Sequence, residues 1–162
     1  MNRIGESQDR GKQSGAGQNM DVQDGQDKEK APEGKLKHGD ITRAVIGCAF
    51  AVMKELGAGF LESVYEQAML LALREKGLSA AAQQPIQVFF RGRPVGDFYA
   101  DILVEGKVVV ELKTVRELAP EHEAQVINYL NATGLEVGLL INFGKPRLEY
   151  RRFTRGKEFE HG

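Results

Sequence analysis

The sequence predicts an α/β fold in which helices flank a mixed β-sheet, and three observations point to it. Two apolar runs at helical spacing come first, and a hairpin of alternating apolar and polar residues follows them. A helix opened by a proline then leads into a short apolar run that suits a buried strand. The predicted order is α-α-β-β-β-α-β-β, with no internal repeat, and a compact mixed sheet with helices packed on it is the natural arrangement.

Each element has its own signal. Ile41, Val45, Cys48, Ala49, Val52 and Leu56 recur on one helical face, with Asp40 placed as an N-cap and Gly57 as a stop. A second helix is expected from Leu61 to Lys76, ended by Gly77. Strands follow at Ile86–Arg91, Val95–Val104 and Lys107–Lys113, the first two joined by a turn at Gly92-Arg93-Pro94. Pro120 opens a third helix, Pro120–Ala132, which Gly134 ends. The run Val137, Leu139, Leu140, Ile141 marks a strand at Glu136–Phe143. Pro146 marks the turn into a last strand, Leu148–Phe153.

Composition sets the outer limits. At 162 residues the chain has room for one domain plus extensions. Residues 1–40 hold no aromatic residue, seven glycines, seven basic and eight acidic groups. Such a segment buries too little apolar surface to offset its ordering entropy, so it reads as a disordered polar tail before a domain at 41–155 and a short tail at 156–162. It lacks the apolar run of a signal peptide, its acidic residues speak against a transit peptide, and no stretch approaches a membrane span. The domain itself is charge-balanced, so net charge gives no sign of nucleic acid. Lys145, Arg147, Arg151, Arg152, Arg155 and Lys157 cluster near the C-terminus, as a phosphate-attracting patch or simply a solvated edge. The lone Cys48 excludes an internal disulfide and fits a reducing compartment such as the cytoplasm; its spacing makes it a core residue.

The hairpin carries the chemistry. In Asp97–Lys113 the even positions Phe98, Ala100, Ile102, Val104, Val108, Val110 and Leu112 are apolar, which predicts one buried face. The odd positions carry Asp101, Glu111 and Lys113. Asp101 and Glu111 are equidistant from Gly106, so in register they lie opposite or diagonally offset. Directly opposed side chains sit about 5 Å apart, and like charges there need compensation. A divalent cation would supply it; a solvated sheet face with an ordinary Glu–Lys pair is an equal reading. Glu62 and Tyr65 share one helical face, where Glu62 either reaches such a site or simply complements the helix dipole. His122, Gln125 and Tyr129 form a stripe on the third helix, either contacting a phosphate backbone or completing an amphipathic face. A single His gives no evidence for zinc.

Together these residues resemble the GxxExxY proteins, a bacterial and archaeal family of the PD-(D/E)XK nuclease superfamily. The naming motif is Gly59-x-x-Glu62-x-x-Tyr65, the core motif is Asp101 followed by Glu111-x-Lys113, and Gln125-x-x-x-Tyr129 matches a motif of exonuclease-like branches. The resemblance runs from about Asp40 to Phe153. It implies a restriction-endonuclease-like α-β-β-β-α-β core with an extra N-terminal helix and a C-terminal strand. Met53 departs from the histidine expected there.

The implied activity is metal-dependent hydrolysis of phosphodiester bonds in nucleic acid, DNA favoured over RNA. Asp101, Glu111 and the Leu112 carbonyl are the implied ligands of Mg²⁺ or Mn²⁺, with Glu62 as a further candidate. Lys113 would position water and stabilise charge on the phosphate. Gln125, Tyr129, Tyr65 and His122 would bind substrate or orient the site, and a homodimer would let two strands be cut. A non-catalytic binding module of the same fold is the alternative, and a scaffold a third.

Overall fold

The computed structural model describes residues 36–156. Its elements are α1 (Gly39–Leu56), α2 (Glu62–Glu75), β1 (Ala80–Phe90), β2 (Arg93–Val104), β3 (Val108–Lys113), α3 (Pro120–Thr133), β4 (Val137–Asn142) and β5 (Glu149–Thr154). The expected order therefore holds, with α2-β1-β2-β3-α3-β4 as the core and α1 and β5 as the additions. Of the tail read over 1–40, residues 1–35 lie outside the described part, as do 157–162 of the C-terminal tail. Residues 36–38 form a turn, and α1 begins at Gly39, so the N-cap position belongs to His38 and Asp40 lies in the first turn.

The five strands pair in the order β1-β2-β3-β4-β5. Pairs β1–β2, β2–β3 and β4–β5 are antiparallel, and β3–β4 is parallel, joined through α3. A parallel connection needs a crossover of a dozen or more residues, which α3 supplies. Helices α1 and α2 cover one face of the sheet, burying Val45, Cys48, Tyr65, Met69 and Leu73 against Val110, Leu139 and Ile141. The opposite face packs on α3 through Ala100, Val109 and Tyr129. Cys48 is a core residue as expected, and so is Met53. Among the described residues no helix is long and apolar enough to cross a membrane.

One expectation about the hairpin needs correction. The even positions do not share a face. Ile102, Val104, Val108, Val110 and Leu112 pack toward α1 and α2, but Phe98 and Ala100 pack with α3. The switch falls at Asp101. There the β1–β2 ladder passes from Ala82–Ile102 to Gln84–Ala100, leaving Gln83 and Asp101 unpaired. Gln83 has φ 49°, outside the β region, so both strands change face together and the register survives. The β1–β2 turn also shifts by one residue, to Arg91 and Gly92, both with positive φ. β1 starts at Ala80, because pairing with β2 overrides the weak strand preference of Ala80–Pro85.

Close packing of α3 depends on Gly138. A Cβ there would stand 2.6 Å from Val126 Cγ1, so a larger residue would push the helix off β4. Gly47, exposed on α1, has open space around it. Gly138→Ala should therefore lower stability by about 1–3 kcal/mol. Gly47→Ala should raise it by up to roughly 1 kcal/mol through helix propensity. Urea denaturation of both variants checks the pair.

Candidate active site

The β2–β3 ladder has its last backbone partners at Ile102 and Val110. The next residues outward are Asp101 and Glu111, and each carboxylate bonds to backbone across the gap. Asp101 N–H donates to Glu111 Oε1 at 3.2 Å, and Leu112 N–H donates to Asp101 Oδ2 at 2.8 Å. The opposition predicted from Gly106 thus continues the paired register. In an extended residue N–H and C=O point to the same side, so the Leu112 carbonyl also faces Asp101.

Glu111 is only 2 % exposed. Burial, then the Asp101 charge, push its pKa from the usual 4.5 up to about 9, while the hydrogen bond from Asp101 N–H and the Lys113 charge act in the opposite sense. A third carboxyl stands close by. Glu62, the first residue of α2, also has its pKa raised, by burial and then by the charge of Asp101, with Lys113 offsetting part of it. Lys113 is half-buried at the end of β3. Among the described residues no three acidic, imidazole or thiolate side chains converge on a point where they could share one ion. Glu62 is accordingly a neighbour of the Asp101–Glu111 pair in this geometry.

From the other face α3 contributes Gln125 and Tyr129. Gln125 Nε2 donates to Tyr129 Oη at 2.6 Å. Burial first, and the Glu111 charge second, push the Tyr129 pKa up to about 12, so its hydroxyl stays protonated beside the carboxylates. Tyr129 also stacks on Phe98 with centroids 4.1 Å apart. His122 lies apart from this group in role: its Nδ1 accepts the Ala119 N–H at 2.9 Å, closing the first turn of α3.

Tyr65 is fully buried and stacks on Phe143 at 4.5 Å. Its hydroxyl donates to Gly57 C=O at 2.5 Å and accepts the Phe60 N–H at 3.3 Å. The α1–α2 connection is thereby latched around Gly59, whose φ of 110° suits glycine, and α2 is delivered with Glu62 at its tip. Gly59-x-x-Glu62-x-x-Tyr65 is in this structure a positioning device for one carboxylate.

Three residues at the site were missed in the sequence, and only Glu66 carries a signal there. Gln83 Nε2 donates to Glu66 Oε2 at 2.8 Å and reaches Asp101 Oδ1 at 3.4 Å. Glu66 is one turn beyond Glu62, a spacing that would have placed it on the same face. Asn142 is fully buried and clamps the loop after Lys113: it accepts Val115 N–H at 3.0 Å and donates to Val115 C=O at 2.8 Å. Three of the C-terminal cations, by contrast, are engaged. Lys145 pairs with Glu149, Arg151 with Glu123 and Glu149, and Arg152 donates to the Lys37 carbonyl.

Glu111 gives a signed prediction. Without a cation the folded state keeps its proton up to about pH 9, whereas the unfolded chain loses it near 4.5. Between those values the folded state binds more protons, so stability from this group is full below pH 4.5 and is lost as pH rises toward 9. In EDTA, the stability difference between wild type and Glu111→Gln should fall by on the order of a few kcal/mol from pH 5 to 9. Thermal melts of both proteins across that range check it.

Comparison with known proteins supplies the family. Residues 39–153 match the PD-(D/E)XK nuclease superfamily. No curated protein matches the chain. Among solved structures the chain is similar to SSO0001, at 18 % identity over 75 % of this chain and 61 % of that one, with a TM-score of 0.47. It is also similar to an alkaline exonuclease (LHK-Exo) from Laribacter hongkongensis, at 13 % identity over 75 % of this chain and 72 % of that one, with a TM-score of 0.43. The superfamily match runs from the start of α1 into β5 and takes in every site residue described above: the chain belongs to the PD-(D/E)XK nuclease superfamily.

Proposed function

We propose that this protein is a metal-dependent nuclease that hydrolyses phosphodiester bonds of DNA, with Mg²⁺ or Mn²⁺ bound by Asp101, Glu111 and the Leu112 carbonyl. Nucleases of this superfamily generally use a divalent metal. The observation that carries the reading is the buried Glu111 beside Asp101, a paired carboxylate site that holds its negative charge comfortably only with a cation present. Two carboxylates and a carbonyl suit a hard cation that keeps several waters and takes further ligands from phosphate. When bound, the metal supplies Lewis-acid polarisation of the phosphate and a more acidic water.

The chain's own groups then have distinct tasks. Lys113, on the same strand face as Glu111, holds its ammonium toward the reacting phosphate and stabilises charge developing there. Glu62 orients water from the tip of α2. Tyr129, fixed by Gln125, donates its retained proton toward the carboxylate side of the site. Tyr65 and His122 act at a distance, the first by latching Glu62 in place and the second by fixing the start of α3. The Gly59-x-x-Glu62-x-x-Tyr65 latch supports placement in the GxxExxY branch, hence a bacterial or archaeal setting. The single buried Cys48 is in keeping with the cytoplasm. We place the nuclease unit at about 41–155, extended slightly toward the N-terminus by α1.

A non-catalytic binding module is favoured by one observation, the pairing of two of the C-terminal cations, Lys145 and Arg151, with carboxylates. The two readings part in one experiment. Calorimetry should show Mg²⁺ or Mn²⁺ binding by wild type that is lost in Asp101→Asn and Glu111→Gln but kept in Lys113→Ala. On labelled DNA, Lys113→Ala should reduce metal-dependent cleavage at least a hundredfold, a size common for a lost charge-stabilising donor. Metal binding without any cleavage by wild type would select the module, and cleavage unchanged in Lys113→Ala would remove that residue from catalysis.

A further inference from the structure

The β1–β2 hairpin runs well past the sheet. β2 pairs with β3 only from Ile102 onward, so residues 93–101 and their β1 partners form an arm roughly 25 Å long. The arm carries large side chains into solvent: Phe89 is 58 % exposed, Phe90 60 %, Val95 60 % and Tyr99 55 %. Such a concentration of exposed apolar surface usually marks an interaction site. Its tip adds Arg91 and Arg93, which form no ion pair among the described residues, and Arg91 lies over the Phe90 ring at 5.0 Å. Asp97 is the one acid on the arm before Asp101 at its base.

Between the arm and α3 lies a groove of about 850 Å³, lined by Val88, Phe98, Gln125, Asn128 and Tyr129, with the acid Glu121 on its α3 side. A second hollow of about 360 Å³ continues along the arm and includes Phe89. The groove therefore shares Gln125 and Tyr129 with the proposed catalytic centre, and Phe98 joins the two through its stack on Tyr129.

We infer that this arm and groove bind single-stranded nucleic acid, with unpaired bases stacking on Phe89 and Phe90, Arg91 and Arg93 holding the phosphates, and the strand running along the groove toward Asp101 and Glu111. The inference rests on the nuclease reading for the direction of the strand, though not for the binding itself. Aromatic faces accept any unpaired base, whereas paired bases in a duplex hide theirs. Charge complementarity favours this occupant over a second copy of the chain, because two basic tips placed together would repel.

The test uses full-length protein in EDTA and fluorescence anisotropy, with a labelled deoxythymidine 12-mer and a blunt duplex of similar length as probes. Wild type should bind the single strand at least tenfold tighter than the duplex. Phe89→Ala with Phe90→Ala should weaken single-strand binding roughly tenfold or more, and Arg91→Ala with Arg93→Ala should lower the salt slope by about 1–2. Both pairs are exposed, so melting temperatures and Mg²⁺ binding should match wild type. No single-strand binding, equal affinity for the duplex, or normal binding by the phenylalanine variant overturns the inference. So does a phenylalanine variant that loses only self-association by light scattering. A failed nuclease reading would look different: no metal binding at Asp101 and Glu111, with phenylalanine-dependent strand binding intact.

Discussion

A carboxylate enclosed beside another carboxylate is the constraint on which this structure turns. Burying an unpaired charge is costly, and two acids side by side make it worse. Glu111 and Asp101 are nonetheless held together, because each accepts a hydrogen bond from the backbone of the opposite strand. The ladder stops here, and the N–H groups of Asp101 and Leu112 would otherwise go without partners. The two side chains take the place of the missing ladder bonds. The pair is thus part of the sheet's backbone accounting as well as the centre of the site, and the remaining cost is met by a retained proton or by a cation.

The surroundings fix the position of this pair from three directions. Asn142, one strand away, bonds both backbone groups of Val115 and so sets the chain's path as it leaves Lys113. Gly144 passes so close to Val115 that a Cβ would collide with its backbone. The Tyr65–Phe143 stack ties the tip of α2 to the same end of β4, and Gly138 lets α3 settle against β4 so that Tyr129 reaches the Glu111 side. None of these residues needs to touch a substrate. They hold groups from α2, β2, β3 and α3 within a small volume, which is what an arrangement of fixed charges requires.

Much of this was legible in the sequence, for physical reasons that also mark where legibility ended. The symmetry of Asp101 and Glu111 about Gly106 gave their opposition, since register in a hairpin follows from its turn. Helix ends at Gly77 and Gly134 were readable because the chain there adopts positive φ. Alternation misled beyond Asp101, because it assumes an unbroken pleat, and a glutamine in the left-handed region at position 83 announces nothing in its composition. The first six residues of β1 and the roles of Gln83, Glu66 and Asn142 depend on partners distant in sequence. The cationic C-terminus was legible as a cluster but not as a partly paired one: Glu123 meets Arg151 only after α3 and β5 come together.

This pairing bears on how a nucleic acid would be held. Broad electrostatic attachment to duplex DNA requires many unpaired cations facing a continuous run of phosphates. The chain has a net charge of −1, and two of its C-terminal cations, Lys145 and Arg151, are spent on internal ion pairs. Affinity would then draw on short-range contacts: phosphate oxygens at the Asp101–Glu111 site through a bound cation, and exposed aromatic faces beside Arg91 and Arg93. The arm supplies such faces in line with the site, while Phe98 and Tyr129 connect the two. An enzyme built this way would find little hold on an intact duplex and much more on a frayed or unpaired end, so its selectivity would follow from what its surface lacks as much as from what its site contains.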